Sequence, residues 1–187
     1  MSRLWTIGHS THSFDAFVAL LRAHEIDRLA DVRLIPKSKR HPHFAIEHLS
    51  TALPRQGIAY RHFRDLGGHR RPRPDSPNAA WRNESFRGYA DYLTSDAFVA
   101  SLAALLDWAS EPGARVAIVC AEAVFWRCHR QLIADALLAR GHEVLHITST
   151  SAATPHTLTS FARVREGRLN YPGLWNEGTE ARADGDP

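Results

Sequence analysis

The chain has 187 residues, of which 44% are hydrophobic and 23% are charged, and its formal net charge is +3 with the histidines neutral. This length and composition are typical of one globular domain, and no apolar run approaches the ~20 residues that cross a bilayer. The first residues lack the apolar stretch of a signal peptide, and two cysteines are too few for a disulfide framework. We therefore expect a cytoplasmic protein without a membrane partner.

Histidine is frequent, with 12 copies, and several of them lie beside arginine or lysine. Two such stretches are 37–43, KSKRHPH, and 69–73, HRRPR. A mildly basic, histidine-rich surface favours an anionic partner, either an anionic small molecule such as a nucleotide or a nucleic acid. The alternative is a solvated basic face that binds nothing.

Short apolar runs alternate with helically spaced apolar residues along the chain. The predicted strands cover residues 4–7, 26–32, 58–63, 116–119 and 142–147. Three predicted helices cover 13–24, 46–53 and 86–92. A fourth runs from the cap at 95–96 to the stop at 111–113, and a fifth runs from 128 to the glycine at 141. Residues 67–85 and the remainder after 147 are predicted to be irregular, with a frayed tail over 176–187.

This alternation predicts an α/β fold with a mostly parallel sheet and helices on both faces, a Rossmann-like three-layer arrangement in a single domain over 1–175. Polar residues follow three of the strands where each strand ends. They are His9 and Ser10, Asp31 and Arg33, and Cys120 and Glu122. Because ligands bind at the carboxyl ends of parallel strands, we expect these residues to meet around one pocket.

Seven short motifs occur in order along the chain: TIGHS at 6–10, DVR at 31–33, PKS at 36–38, LGG at 66–68, FRGY at 86–89, CAE at 120–122 and CHR at 128–130. Together they resemble the bacterial and archaeal domain of unknown function 488 family, over roughly residues 4–172. The resemblance implies a compact α/β domain and no settled activity. It indicates which residues to examine rather than what they do.

The candidate catalytic residues carry acid, base or nucleophilic groups near the predicted sheet edge. They are Glu122, Cys120, Arg33, Asp31 and His129. The candidate substrate-binding residues are His9, Ser10, Lys39, Gly67, Gly68, Tyr89, Arg127 and Arg130. An anionic group would lie against the helix that begins near Cys128. For His9 and Ser10, the alternative is a helix-capping pair.

Cys120 follows a buried strand and precedes a loop and a helix, a placement used by rhodaneses and cysteine phosphatases. The DVR motif at 31–33 also looks rhodanese-like. However, the loop 121–127 is bulky and lacks glycine, and Arg127 lies seven residues after the cysteine. The alternative is a small buried core residue, and we expect a buried, slowly reacting thiol.

Glu122 has two possible roles that the sequence leaves open. It is either ion-paired with Arg127, Arg130 or Arg33, which is the usual state of a buried carboxylate, or it acts as a general base.

Cys128 and His129 lie four residues, about one helical turn, before Leu132 and Ile133 respectively. Both are therefore expected close to the core face of their helix. The spacing of Cys120, Cys128 and His129 matches no usual zinc pattern. We therefore assign no metal and no cofactor from the sequence.

Three functions remain open. The first is an enzyme, or a domain derived from one, that acts on a phosphate-bearing substrate such as a nucleotide or nucleic acid, with Glu122 as acid or base. The second is a rhodanese-like thiol enzyme with Cys120 as nucleophile. The third is a non-catalytic nucleic-acid-binding module whose basic loops contact phosphates.

Overall fold

The computed structural model describes residues 1–37, 40–165 and 168–173. The strands of the described residues are β1 (Arg3–Gly8), β2 (Arg28–Asp31), β3 (Ala59–His62), β4 (Val116–Cys120), β5 (Glu143–Ile147), β6 (Ala153–Pro155), β7 (Arg163–Arg165) and β8 (Arg168–Asn170). The α-helices are α1 (Phe14–Ala23), α2 (Ile46–Arg55), α3 (Glu84–Tyr92), α4 (Asp96–Ser110) and α5 (Arg130–Leu138).

Six strands form one sheet in the order β3-β2-β4-β1-β5-β6. The first five are parallel, and β6 runs antiparallel to β5. The register pairs Gly8 with Cys120 and Asp31 with Val119, so β1, β2 and β4 end side by side. The mostly parallel sheet is therefore confirmed.

Helices cover both faces of this sheet. On one face α1 and α2 bury Phe17 and Leu49 in a cluster that includes Ile7. On the other face α3, α4 and α5 enclose a larger cluster that includes Phe98 and Ile118. Because β4 is buried on both faces, its sequence is a continuous apolar run rather than an alternating one. The three-layer, single-domain α/β fold is confirmed.

The chain after residue 147 differs from the prediction, because part of it is regular. Strand β6 extends the main sheet, and β7 and β8 form a separate antiparallel pair. These strands have three residues each and are largely exposed, so they carry no apolar pattern. The predicted tail over 176–187 lies outside the described residues.

Helix α5 begins at Arg130, two residues later than predicted. Residues Phe125–Arg127 form a single 3-10 turn, and Cys128 is extended with φ −137° and ψ 150°. The chain therefore turns once between β4 and α5. Within the described ranges, no helix has both the length and the apolar character to cross a bilayer.

Candidate functional site

The ends of β1, β2 and β4 are joined by main-chain hydrogen bonds that continue beyond the strands. The amides of His9 and Ser10 donate to the carbonyl oxygens of Cys120 and Ala121, both at 2.9 Å. A Cβ atom at Gly8 would lie 1.9 Å from the carbonyl oxygen of Glu122, so this close approach requires glycine. The three strand ends therefore form one rigid edge.

Two neighbouring cavities open at this edge. The first, of about 380 Å³, has an apolar and aromatic wall made by Leu34, Ile35, Phe86 and Tyr89, and we call it the aromatic cavity. The second, of about 450 Å³, is lined by the cationic side chains of Lys37 and Arg40 and by histidines, and we call it the basic cavity. The residues common to both linings are Arg33, Ile35, Ala121 and Glu122. The two cavities therefore adjoin each other, and we call the pair the cleft.

Arg33 stands between the cavities and is held by its neighbours. Its Nε donates to Asp31 Oδ1 at 2.9 Å, and its Nη2 donates to the other carboxylate oxygen. The Tyr60 hydroxyl also donates to Asp31, at 2.7 Å. Because Asp31 neutralises the guanidinium, Arg33 fixes the wall of the cleft and offers little net charge to a ligand.

His9 completes this arrangement on the side of the basic cavity. Its Nδ1 lies 3.0 Å from the carbonyl oxygen of Ser10, which can only accept, so Nδ1 carries the proton. Its Nε2 lies 3.3 Å from Arg33 Nη1 and accepts from it. Burial and the Arg33 charge lower the pKa of His9 to about 4. The imidazole is therefore neutral near pH 7.

Cys120, Cys128 and His129 meet in the aromatic cavity. Their Sγ, Sγ and Nδ1 atoms all lie within 4.8 Å of one another. A hydrogen bond between the thiols raises the pKa of Cys120, as burial also does, and lowers the pKa of Cys128. Cys120 is buried, as the sequence suggested, and its pKa makes it a poor nucleophile at neutral pH.

Arg130 lies behind this cluster and is 1% exposed. Its Nη2 donates to the main-chain carbonyl of Glu122 and, at 3.4 Å, to that of Ala123. Its buried Nε has no hydrogen-bond partner among the described residues. Within the described part of the chain, the ion pairs include neither Arg130 nor Glu122. Of the two roles left open for Glu122, the pairing of its carboxylate with an arginine is therefore not seen among the described residues. The Glu122 side chain is exposed, and Arg130 contacts its main-chain carbonyl instead.

The other candidate residues fall into three groups. Gly68, Tyr89 and Arg127 line the aromatic cavity, and Ser10 lines the basic one. Gly67 is buried against Leu34 and lines neither of the two cavities. Lys39 lies outside the described residues.

Sequence reasoning missed Cys128 as a lining residue, because its helical spacing indicated the core. It is indeed buried at 4% exposure, yet it also borders the cavity. Phe86 and the pair Leu34 and Ile35 were also missed. For Phe86, the FRGY motif was the indication that the sequence offered. Nothing in the sequence distinguishes Leu34 and Ile35 from core residues.

A second polar network, also missed, lies deeper in the fold. His146 contacts Thr6 Oγ1 through Nδ1 at 2.7 Å and His156 through Nε2 at 3.0 Å. His156 in turn contacts Asp135 at 2.8 Å, and the Tyr171 hydroxyl donates to the same carboxylate at 2.9 Å. All five side chains are buried. The network ties the C-terminal segment to α5 and to the centre of the sheet.

Comparison with protein families matches residues 13–137 to the family described as domain of unknown function DUF488. No curated protein and no solved structure matches the chain at a significant level. The matched stretch covers more than half of the chain and includes β2, β4 and the Cys120–Arg130 loop. The chain therefore belongs to the domain of unknown function DUF488 family.

Proposed function

We propose that the chain is an enzyme domain that binds a phosphate-bearing substrate of the nucleotide class in the cleft formed by the aromatic and basic cavities. The observation that carries this proposal is the adjacency of the two cavities, which share Arg33 and Glu122. A nucleotide has the same two halves, an apolar aromatic base and an anionic phosphate. The cleft also lies at the carboxyl edge of a parallel sheet, where such ligands bind.

The aromatic cavity suits the base and sugar. Its volume of about 380 Å³ falls within the range of ~300–1,000 Å³ that is typical of ligand pockets. Phe86 offers a ring for stacking, His69 offers a polar edge, and Leu34 and Ile35 offer apolar surface. A flat heterocycle therefore finds both stacking and apolar contact here.

The basic cavity suits the phosphate. Lys37 and Arg40 are exposed and line it, and the ion pairs of the described residues do not include either of them. Asp31 neutralises Arg33, and His9 is neutral. Lys37 and Arg40 therefore supply the positive charge of the basic cavity. Lysine and arginine bind phosphate oxygens through charge-assisted hydrogen bonds. The phosphate therefore lies nearest Lys37 and Arg40.

Glu122 is the candidate general acid or base. Among the described residues that line the two cavities it is the single carboxylate, and it borders both of them. Because Glu122 lies at the boundary between the two cavities, its carboxylate is placed beside the bond that joins the base-bearing half of a bound nucleotide to its phosphate-bearing half. A Cys120 nucleophile has less support, because that thiol is buried and its pKa is raised.

Calorimetric titration with nucleoside 5′-monophosphates, nucleosides and inorganic phosphate tests this proposal. The variant K37A/R40A removes the proposed phosphate contacts and should weaken nucleotide binding roughly tenfold or more. The matched control is R55A/R64A, which removes two exposed arginines that line neither cavity. Equal nucleotide affinity in the two double variants, or no nucleotide binding by the unmodified chain, would overturn the proposal.

A further inference from the structure

We infer that Cys120, Cys128 and His129 bind a divalent cation of the zinc class, with one coordination position open to the aromatic cavity. The inference goes beyond nucleotide binding and does not depend on it. Two thiols and one imidazole are the ligand types that select zinc among the divalent cations common in proteins. All three residues line the aromatic cavity.

The distances between the ligand atoms fit tetrahedral coordination. With Zn–S near 2.3 Å and Zn–N near 2.0–2.1 Å, tetrahedral angles place sulfur and nitrogen about 3.6 Å apart and the two sulfurs about 3.8 Å apart. Cys128 Sγ lies 3.6 Å from His129 Nδ1, and no pair among the three atoms exceeds 4.8 Å. The three ligand atoms are therefore close enough to one another to share one ion.

The tautomer of His129 is fixed in the form that a metal needs. Its Nε2 lies 3.0 Å from the carbonyl oxygen of Val32, which can only accept a hydrogen bond. Nε2 therefore carries the proton, and Nδ1 presents its lone pair to the cysteines. A metal-bound histidine typically donates its other N–H to a carbonyl or carboxylate in this way.

The ring of His129 also packs against two close neighbours, Tyr89 and Gly68. The Tyr89 ring packs beside it with centroids 5.1 Å apart, and the Tyr89 hydroxyl is anchored on Leu66 by a 2.7 Å hydrogen bond. Gly68 packs so closely that a Cβ atom there would lie 3.0 Å from Nδ1. An imidazole preoriented in this way loses little freedom when it binds a metal.

The charge balance supports a metal complex at this position. Arg130 is 1% exposed, directly follows Cys128 and His129 as the first residue of α5, and has no carboxylate partner within the described ranges. A buried cation without a counter-ion is costly. Two thiolates cancel the charge of Zn²⁺, and a hydroxide or anionic substrate group at the fourth position makes the complex negative beside the guanidinium.

The open position distinguishes this site from a structural zinc site. Structural sites use four protein ligands, whereas three protein ligands with a water in the fourth place are typical of catalytic zinc. Because all three ligands border the aromatic cavity, that water would face the region where the base is proposed to bind. A zinc-bound water loses a proton near neutral pH and becomes a nucleophile.

Cobalt(II) titration of the reduced, metal-free chain tests the site directly, because thiolate-to-cobalt charge transfer produces an ultraviolet band. We expect one cobalt per chain with that band, displacement of cobalt by zinc, and proton release on binding. The variants C120S, C128S and H129Q should each weaken cobalt binding by about tenfold or more. Circular dichroism checks that each variant is folded.

The control is H48N, which alters an exposed histidine of α2 that lines neither cavity and lies outside the three-residue cluster. It should bind cobalt as the unmodified chain does. Absence of the band while thiol counting in denaturant shows both cysteines reduced would overturn the inference. The same conclusion would follow if the C120S/C128S variant kept the band. Nucleotide titration with a chelator present measures nucleotide binding without a metal. It therefore tests the proposed function separately from the metal site.

Discussion

The side chains of Asp31 and Arg33, two residues apart at the end of β2, form a two-pronged ion pair. Nε meets Oδ1 at 2.9 Å, and Nη2 meets Oδ2. The Asp31 carboxylate is fully buried and Arg33 is 7% exposed. The pair therefore stabilises the wall between the aromatic and basic cavities, and its two opposite charges neutralise each other.

Replacing Asp31 with Asn should destabilise the fold strongly. The substitution leaves the buried Arg33 guanidinium without its counter-ion, which typically costs ~3 to 5 kcal/mol. Urea unfolding measures the change in the free energy of unfolding. The control is D75N at an exposed aspartate, where the expected change is under ~0.5 kcal/mol. A loss for D31N no larger than for D75N would contradict the scaffold role.

The sequence predicted the position of these two residues but not the ion pair between them. Three polar strand ends were expected at one edge, and β1, β2 and β4 do end there. The strand pattern carries that information because each strand is a distinct apolar run. Which charged group pairs with which depends on side-chain directions at the edge, and these are not encoded in spacing. The ion pair between Asp31 and Arg33 could therefore not be predicted from the sequence, and their catalytic roles stay predictions.

Two buried histidines should make the fold sensitive to acid. Burial lowers the pKa of His9 to about 4, aided by Arg33, and lowers that of His146 to about 3, aided by His156. In the unfolded chain both rings take up a proton near pH 6.5. The unfolded state therefore binds more protons below pH 6.5, and stability is lost as the pH falls towards 4. Each ring contributes a slope of up to ~1.4 kcal/mol per pH unit.

Nitrogen-15 NMR of the imidazole rings checks this prediction. Both rings should stay neutral at pH 5 in the folded chain and titrate near pH 6.5 when the chain is unfolded in urea. Titration of His146 near 6.5 in the folded chain would show that the buried contacts with Thr6 and His156 do not hold.

The hydroxyl of Tyr171 should contribute to stability through the buried Asp135 network. Y171F removes a hydrogen bond of 2.9 Å to a fully buried carboxylate, and we expect a loss of ~1 to 2 kcal/mol. The matched control is Y92F, whose hydroxyl donates at 2.8 Å to the Asp65 carbonyl at an exposed site. Thermal unfolding of both variants measures the difference, and equal losses would contradict the prediction.

Gly68 should act as a positioning residue for His129. A Cβ atom at Gly68 would meet Nδ1 at 3.0 Å and Cγ at 3.3 Å. G68A should therefore displace the ring by a few tenths of an ångström and weaken cobalt binding by roughly tenfold, as other disturbances around metal ligands do. S85A, which alters another residue of the aromatic cavity, is the control. Unchanged cobalt affinity and band position in G68A would contradict this role.

The thiol cluster shows why the site was harder to predict than the fold. Seven residues separate Cys120 from Cys128, a spacing outside the usual zinc patterns. The 3-10 turn at Phe125–Arg127 brings the chain back, and the extended Cys128 then presents its sulfur to Cys120. Local periodicity predicts which face of a helix is apolar, but it does not predict a single turn of this kind.

A crystal structure of the chain with a bound nucleoside 5′-monophosphate would show directly where the nucleotide lies. We expect the phosphate within hydrogen-bond distance of Lys37 or Arg40 and the base beside Phe86. A rival cationic cavity, lined by Arg3 and Arg115, lies where β1 and β4 begin, at the opposite edge of the sheet. A nucleotide bound in that cavity, with the aromatic and basic cavities both empty, would contradict the proposed binding site.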